Sequence, residues 1–151
     1  MRSLILFLAT GAYFGRLPLA PGTWGSLWGV LFHCFLSRYS LLFYLPGLIA
    51  LIFLAVVVAH QAEIITGKKD DSSIVIDEIA GMAVTLVQIP PTGWAVVVGF
   101  LLFRFFDITK IFPAKTLGEI LPGGYGIVAD DIVAGIYANL ILRLILYLNA
   151  A

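Results

Sequence analysis

The run SLLFYLPGLIALIFLAVVVAH, residues 40–60, contains no charged side chain, and the next charge along the chain is Glu63. A helix crosses the hydrocarbon core of a bilayer with about 20 apolar residues, and this run supplies them. Pro46 and Gly47 would weaken a helix in water. In a membrane, neighbouring helices can satisfy the backbone groups they free. The rest of the chain agrees: of 151 residues 61% are hydrophobic and only 12% are charged, about half the charged fraction of an ordinary soluble domain. Nine Lys plus Arg balance nine Asp plus Glu. That leaves no basic excess for nucleic acid, and so apolar a composition excludes a disordered chain. The single cysteine, Cys34, has no disulfide partner and reads as a small buried hydrophobe.

Working outward, further apolar segments run from about Trp94 to Phe112 and from about Ile127 to Leu148. Two shorter ones, 24–37 and 74–89, read as tilted or partly re-entrant helices, or as spans around which the membrane thins. Residues 3–14 could be taken for a signal-peptide core. The Gly15, Arg16, Pro18 and Pro21 turn leads straight into the next apolar run, and an interfacial or half-buried helix fits as well. Short polar connections fall around Arg38 and over 61–73, 90–93 and 113–126. The expected fold is all-α: one domain, 1–151, a small polytopic helical membrane bundle of four to five apolar segments, some re-entrant.

Cytoplasmic loops are rich in Lys and Arg. Placing Lys68 and Lys69 inside puts Arg2, Arg16, Lys110 and Lys115 on the same side and leaves only Arg38 and Arg143 outside. The same topology brings GTWGS (22–26), Asp77, Glu78, Asp107, Asp130 and Asp131 to the cytoplasmic face.

Those five acids are the unusual feature, because a carboxylate in or beside an apolar segment is costly unless paired, protonated or bound to a cation. Arg104 and Lys110, three residues either side of Asp107, neutralise two charges at most. An acidic pair at a helix start can serve as a cap and dipole partner. Three such elements point instead to a shared divalent cation, for which oxygen-rich sites suit magnesium or manganese. Spacing alone does not select the ligands, since adjacent residues point about 100° apart on a helix. Gly81 and Gly135 lie four residues after Asp77 and Asp131, so close helix packing at small residues would bring the two acids together.

Residues 17–29, LPLAPGTWGSLWG, place Gly22, Thr23, Gly25 and Ser26 where a helix starts. This is an ordinary cap or, beside a cation, a phosphate site. No GK[ST] follows, so it is not a nucleotide P-loop. LPGGYGI (121–127) is a flexible lip or a tight connection. His60 and Glu63 read as surface or interface residues, and His33 as a satisfied core histidine.

Taken together, APGTWGS (20–26), IVIDEIAGM (74–82), FLLFRFFDITKIFPA (100–114) and LPGGYGIVADDIVAGIYA (121–138) resemble the phosphatidylglycerophosphatase A family in four ordered blocks over nearly the whole chain. The resemblance implies a bacterial inner-membrane enzyme, multi-pass with its site facing the cytoplasm. Such an enzyme uses magnesium to hydrolyse the terminal phosphomonoester of phosphatidylglycerophosphate, giving phosphatidylglycerol and phosphate. It implies metal ligation by Asp77, Glu78, Asp107, Asp130 and Asp131, and catalytic roles for Asp107, Asp131, Arg104 and Lys110. Gly22, Thr23, Gly25 and Ser26 would bind the phosphate. Direct attack by water and an aspartyl-phosphate intermediate both stay open. A phosphatidyltransferase is disfavoured because its Asp-Gly, Ala-Arg, Asp-three-Asp pattern is absent. A cation or proton pathway is disfavoured because the acids cluster at one face, whereas conduction needs polar groups through the membrane depth.

Overall fold

The structure, a computed structural model, describes residues 1–68 and 71–150. Among them no strand occurs, and the fold is all-α. Seven helices follow in order: α1 (Arg2–Ala9), α2 (Pro21–Leu36), α3 (Leu41–Thr66), α4 (Ile76–Thr85), α5 (Gly93–Thr109), α6 (Ala114–Ile120) and α7 (Gly124–Ala150). A single 3-10 turn, Phe14–Arg16, lies between α1 and α2.

The charge-free run becomes α3, 26 residues long and so about 40 Å from end to end. It stops where Gly67 takes a left-handed conformation, with its N–H donating to the Glu63 carbonyl at 2.9 Å. Among the described residues, α3 and α7 are long and apolar enough to cross a membrane. Their outward faces, and that of α5, are apolar: Phe53 is 71%, Leu101 61% and Leu148 65% exposed. Apolar faces of this extent are unsuited to water and suited to lipid.

α4 sits at the centre, packed against α2, α3, α5 and α7. Its Ile76, Ala80, Met82 and Ala83 are buried. At ten residues it spans only about 15 Å, and a helix that ends inside an apolar bundle exposes carbonyls that need partners. α7 supplies them. Asn139 Nδ2 donates to the Thr85 carbonyl at 2.7 Å and to that of Val87 at 3.0 Å, and Arg143 Nη2 donates to the Val87 carbonyl at 2.8 Å and to Gln88 Oε1 at 2.9 Å.

Glycines set how closely the helices approach. A Cβ at Gly25 would lie 2.7 Å from the Val75 carbonyl oxygen, and one at Gly29 would lie 2.7 Å from the Ile79 carbonyl oxygen and from Met82 Cβ. Small residues on α2 thus let it lie against α4. On the other side of α4, a Cβ at Gly81 would fall 2.6 Å from Phe103 Cε2 and 2.7 Å from the Asp131 carbonyl oxygen, and one at Gly135 would run into the Gly81 carbonyl oxygen.

Two expectations change and one left open is resolved. Residues 113–126, read as a polar connection, contain α6, and Gly126 is packed so that a Cβ there would lie 2.5 Å from the Leu121 carbonyl oxygen and 2.9 Å from that of Gly118. Of LPGGYGI, only 121–123 form the tight connection, where Gly123 has φ +56 and a Cβ on it would strike His60 Nδ1, and 124–127 are the first turn of α7. The apolar segment 3–14 is helical only over its first part, α1. Of the Lys68–Asp71 loop, Lys69 and Asp70 lie outside the described residues.

Candidate active site

The starts of α2, α4 and α7 and the end of α5 meet around a cleft of about 330 Å³. Asp77 and Glu78 stand in the first turn of α4, and Asp131 reaches the cleft from α7. The close contact of Gly81 with Gly135, one turn further along, lets these carboxylates converge: one oxygen from each of Asp77, Glu78 and Asp131 lies within 4.8 Å of the others. Asp77 and Asp131 are buried, and Glu78 Oε2 is buried without a hydrogen-bond partner.

The other two acids are engaged by the cations of α5. Arg104 Nη1 lies 2.6 Å from Asp107 Oδ2, one helical turn on, and 4.0 Å from Glu78 Oε1. Lys110 ends α5 in a left-handed backbone conformation, and its ammonium is paired with Asp130 Oδ2. Asp130 Oδ1 accepts the backbone N–H of Asp131 at 3.0 Å. Of the five acids expected around a metal, three therefore form a convergent oxygen cluster, while Asp107 and Asp130 face fixed cations.

The expected phosphate-binding residues separate in a similar way. Ala20, Pro21 and Gly22 line the cleft, and Gly22 is pressed so closely on Glu78 and Arg104 that a Cβ would lie 2.6 Å from Arg104 Nη1. The α2 N-terminus carries no side-chain cap, leaving backbone donors at this end of the helix. Thr23 stands beside them, its N–H donating to the Ala20 carbonyl at 2.9 Å. Gly25 instead packs on Val75, and the buried Ser26 hydroxyl donates to the Gly22 carbonyl at 2.8 Å. Their spacing suited a helix-start anion site equally well, but the α2–α4 contact uses them.

Before α4, Asp71 Oδ1 accepts the Ser73 N–H at 2.9 Å, which holds the Asp71 carboxyl below the usual carboxylate range. This Asx turn fixes the loop that brings Ser72 and Ile74 to the cleft. Sequence reasoning missed both, and also Ile108, an apolar wall beside Asp107. No chemical signature marks them.

The residues fit a hard divalent cation. The cluster is all oxygen, it converges from two helices, and one of its buried oxygens lacks a donor. The neighbouring guanidinium and helix N-terminus suit an anion. Fold and cleft together define a helical protein with an apolar exterior that gathers a carboxylate cluster, a guanidinium and an uncapped helix N-terminus at one end of its bundle.

The chain matches the phosphatidylglycerophosphatase A family over residues 7–146. A phosphatidylglycerophosphatase A of Haemophilus influenzae is 38% identical over 145 residues, covering 95% of this chain and 89% of the relative. One from Escherichia coli K12 is 37% identical over 139 residues, covering 91% and 81%. A putative phosphatidylinositol-3-phosphatase of Bacteroides thetaiotaomicron is 32% identical over 149 residues, covering 92% and 91%. No solved structure matches the chain. The chain belongs to the phosphatidylglycerophosphatase A family and, with it, to the phosphoric monoester hydrolases.

Proposed function

We propose that this protein hydrolyses the terminal phosphomonoester of phosphatidylglycerophosphate, releasing phosphatidylglycerol and phosphate in phospholipid biosynthesis. The observation that carries this reading is the convergence of Asp77, Glu78 and Asp131 within 4.8 Å beside Arg104 and the start of α2. A phosphomonoester needs such a pairing of cation-holding oxygens with fixed donors.

In this reading Asp77, Glu78 and Asp131 hold magnesium, with Asp107 and Asp130 behind them. The ion would supply Lewis-acid polarisation of the phosphoryl group and a more acidic water. Arg104, fixed by Asp107, directs its guanidinium at the phosphate oxygens. Lys110, fixed by Asp130, adds a second positive charge along the same cleft, and the backbone around Gly22 closes the anion site. Either water attacks phosphorus, its proton passing to Asp107 or Asp131 as the phosphatidylglycerol oxygen leaves, or Asp107, Asp130 or Asp131 attacks phosphorus itself, expelling phosphatidylglycerol and forming an aspartyl-phosphate that water then hydrolyses to phosphate. Isolation of a phosphorylated protein during turnover selects the second.

The protein is multi-pass in a bacterial inner membrane. α3 and α7 cross it, the shorter α2 and α5 complete the bundle, and α4 enters from the cytoplasmic side without crossing. The apolar faces of α3, α5 and α7 support this arrangement, and the distribution of Arg2, Arg16, Lys68, Lys110 and Lys115 favours a cytoplasmic site. Acyl chains then stay in the bilayer while the headgroup reaches the cleft.

A second reading keeps the reaction and changes the headgroup, because one relative carries the name of a putative phosphatidylinositol-3-phosphatase. Phosphate release from the two lipids, each in mixed micelles with magnesium, separates them. Faster release from phosphatidylglycerophosphate is expected. Preference for phosphatidylinositol 3-phosphate would replace the first reading with the second, and release from neither lipid would sink both.

A further inference from the structure

Beside the acidic cleft lies a second one of about 550 Å³, between the end of α5, α6 and the start of α7. The Lys110–Asp130 ion pair and Ile108 line both clefts, so the two share a wall. Gly118 of α6 forms part of that boundary: a Cβ there would lie 3.2 Å from Asp130 Oδ2. On α6, Lys115 and Glu119 both line the second cleft, one helical turn apart. Among the described residues Lys115 forms no ion pair. The phosphatase chemistry proposed above uses neither residue.

A phospholipid carrying a terminal phosphomonoester on a hydroxylated headgroup has a second anion, the phosphodiester that joins the headgroup to diacylglycerol. A site that holds only the monoester could not distinguish such a lipid from any other phosphomonoester. We infer that the second cleft is the headgroup subsite. Lys115 binds the phosphodiester oxygens, and Glu119 accepts a hydrogen bond from a headgroup hydroxyl. The Lys110–Asp130 pair is then the partition between the monoester and the rest of the headgroup. Specificity resides on α6, outside the carboxylate cluster.

This inference rests on the phosphatase reading, and the two products test them separately. Inorganic phosphate carries the part bound in the acidic cleft, and phosphatidylglycerol carries the part assigned to the second cleft. Wild-type hydrolysis of phosphatidylglycerophosphate in mixed micelles comes first. If there is none, the phosphatase reading falls and takes the subsite with it.

With an active wild type, Lys115→Met is expected to raise KM and to weaken inhibition by phosphatidylglycerol roughly tenfold, the size of one lost hydrogen bond to a charged group. Inhibition by inorganic phosphate should stay within about twofold of wild type, and Lys115→Arg should restore most of the phosphatidylglycerol inhibition. Equal weakening by both products, or unchanged inhibition by phosphatidylglycerol, would overturn the subsite while leaving the phosphatase reading standing. If Lys115→Met does not fold, Glu119→Leu, which removes the acceptor, serves in its place with the same product comparison.

Discussion

The carbonyl oxygen of Gly81 occupies the space that a side chain at Gly135 would need. This contact sets the distance between α4 and α7 one helical turn from Asp77 and Asp131, and so it sets the geometry of the carboxylate cluster. A methyl group at Gly135 must push the helices apart, at a cost of about 1–3 kcal/mol. Displacements near 1 Å at a reacting centre lower rates by about 100-fold. Gly135→Ala is therefore expected to lose about two orders of magnitude in kcat while lowering Tm only moderately. Phosphate release measured beside a thermal melt checks it, and a fully active Gly135→Ala would detach the crossing from the site.

Gly22 and Ser26 lie one helical turn apart on α2, yet their substitutions should behave oppositely. The Ser26 hydroxyl is satisfied inside its own helix, so Ser26→Ala is expected to change KM by less than about twofold. Gly22→Ala places a methyl group against Arg104 Nη1 and Glu78 Oε1 and should reduce kcat/KM by at least about 100-fold. Steady-state kinetics of the two variants decide it, and a large KM effect at Ser26 would return its hydroxyl to the phosphate.

Lys110 protects Asp130, whose side chain is only 7% exposed. Removing the cation leaves a buried carboxylate, but the Lys110 side chain is 38% exposed, so water softens the loss. Lys110→Met should destabilise by about 2 kcal/mol, less than the 3–5 kcal/mol typical of a fully buried pair. Adding Asp130→Asn should recover part of it. Denaturation midpoints of the two single variants and the double variant test this coupling, and strictly additive losses would contradict it.

Asn139 covers the end of α4. Asn139→Leu strands the Thr85 carbonyl that Asn139 Nδ2 reaches, while the Val87 carbonyl keeps its bond from Arg143 Nη2, and the loss is expected to cost about 1–3 kcal/mol. Faster amide exchange over residues 82–88 should accompany the lower Tm. Unchanged exchange there would show that the end of α4 does not depend on Asn139.

Much of the site was legible because its chemistry is costly. Acids at Asp77, Glu78 and Asp131 in an apolar chain demand compensation, and glycines four residues after two of them gave the helix contact. The roles of Asn139 and Arg143 were not legible, because nothing in their own segment shows that a neighbouring helix stops halfway. α6 was hidden by its length: seven residues flanked by Pro113 and Pro122 carry too little periodicity to separate a helix from a polar connection. The packing of Gly25 on Val75 and the Ser26 hydroxyl's bond to the Gly22 carbonyl were not legible, because a packing stripe and an anion-binding helix start use the same small residues.

The most direct test of the central claim is phosphate release from phosphatidylglycerophosphate by purified wild type and Asp131→Asn, each with magnesium and with EDTA. The claim is that the Asp77, Glu78 and Asp131 cluster is the metal-dependent phosphatase site. Wild-type release should require magnesium, and Asp131→Asn should fall by about 1,000-fold or more while still melting cooperatively, as expected when a group that stabilises the transition state is lost. Release that survives EDTA, or an Asp131→Asn variant that keeps the wild-type rate, would contradict it.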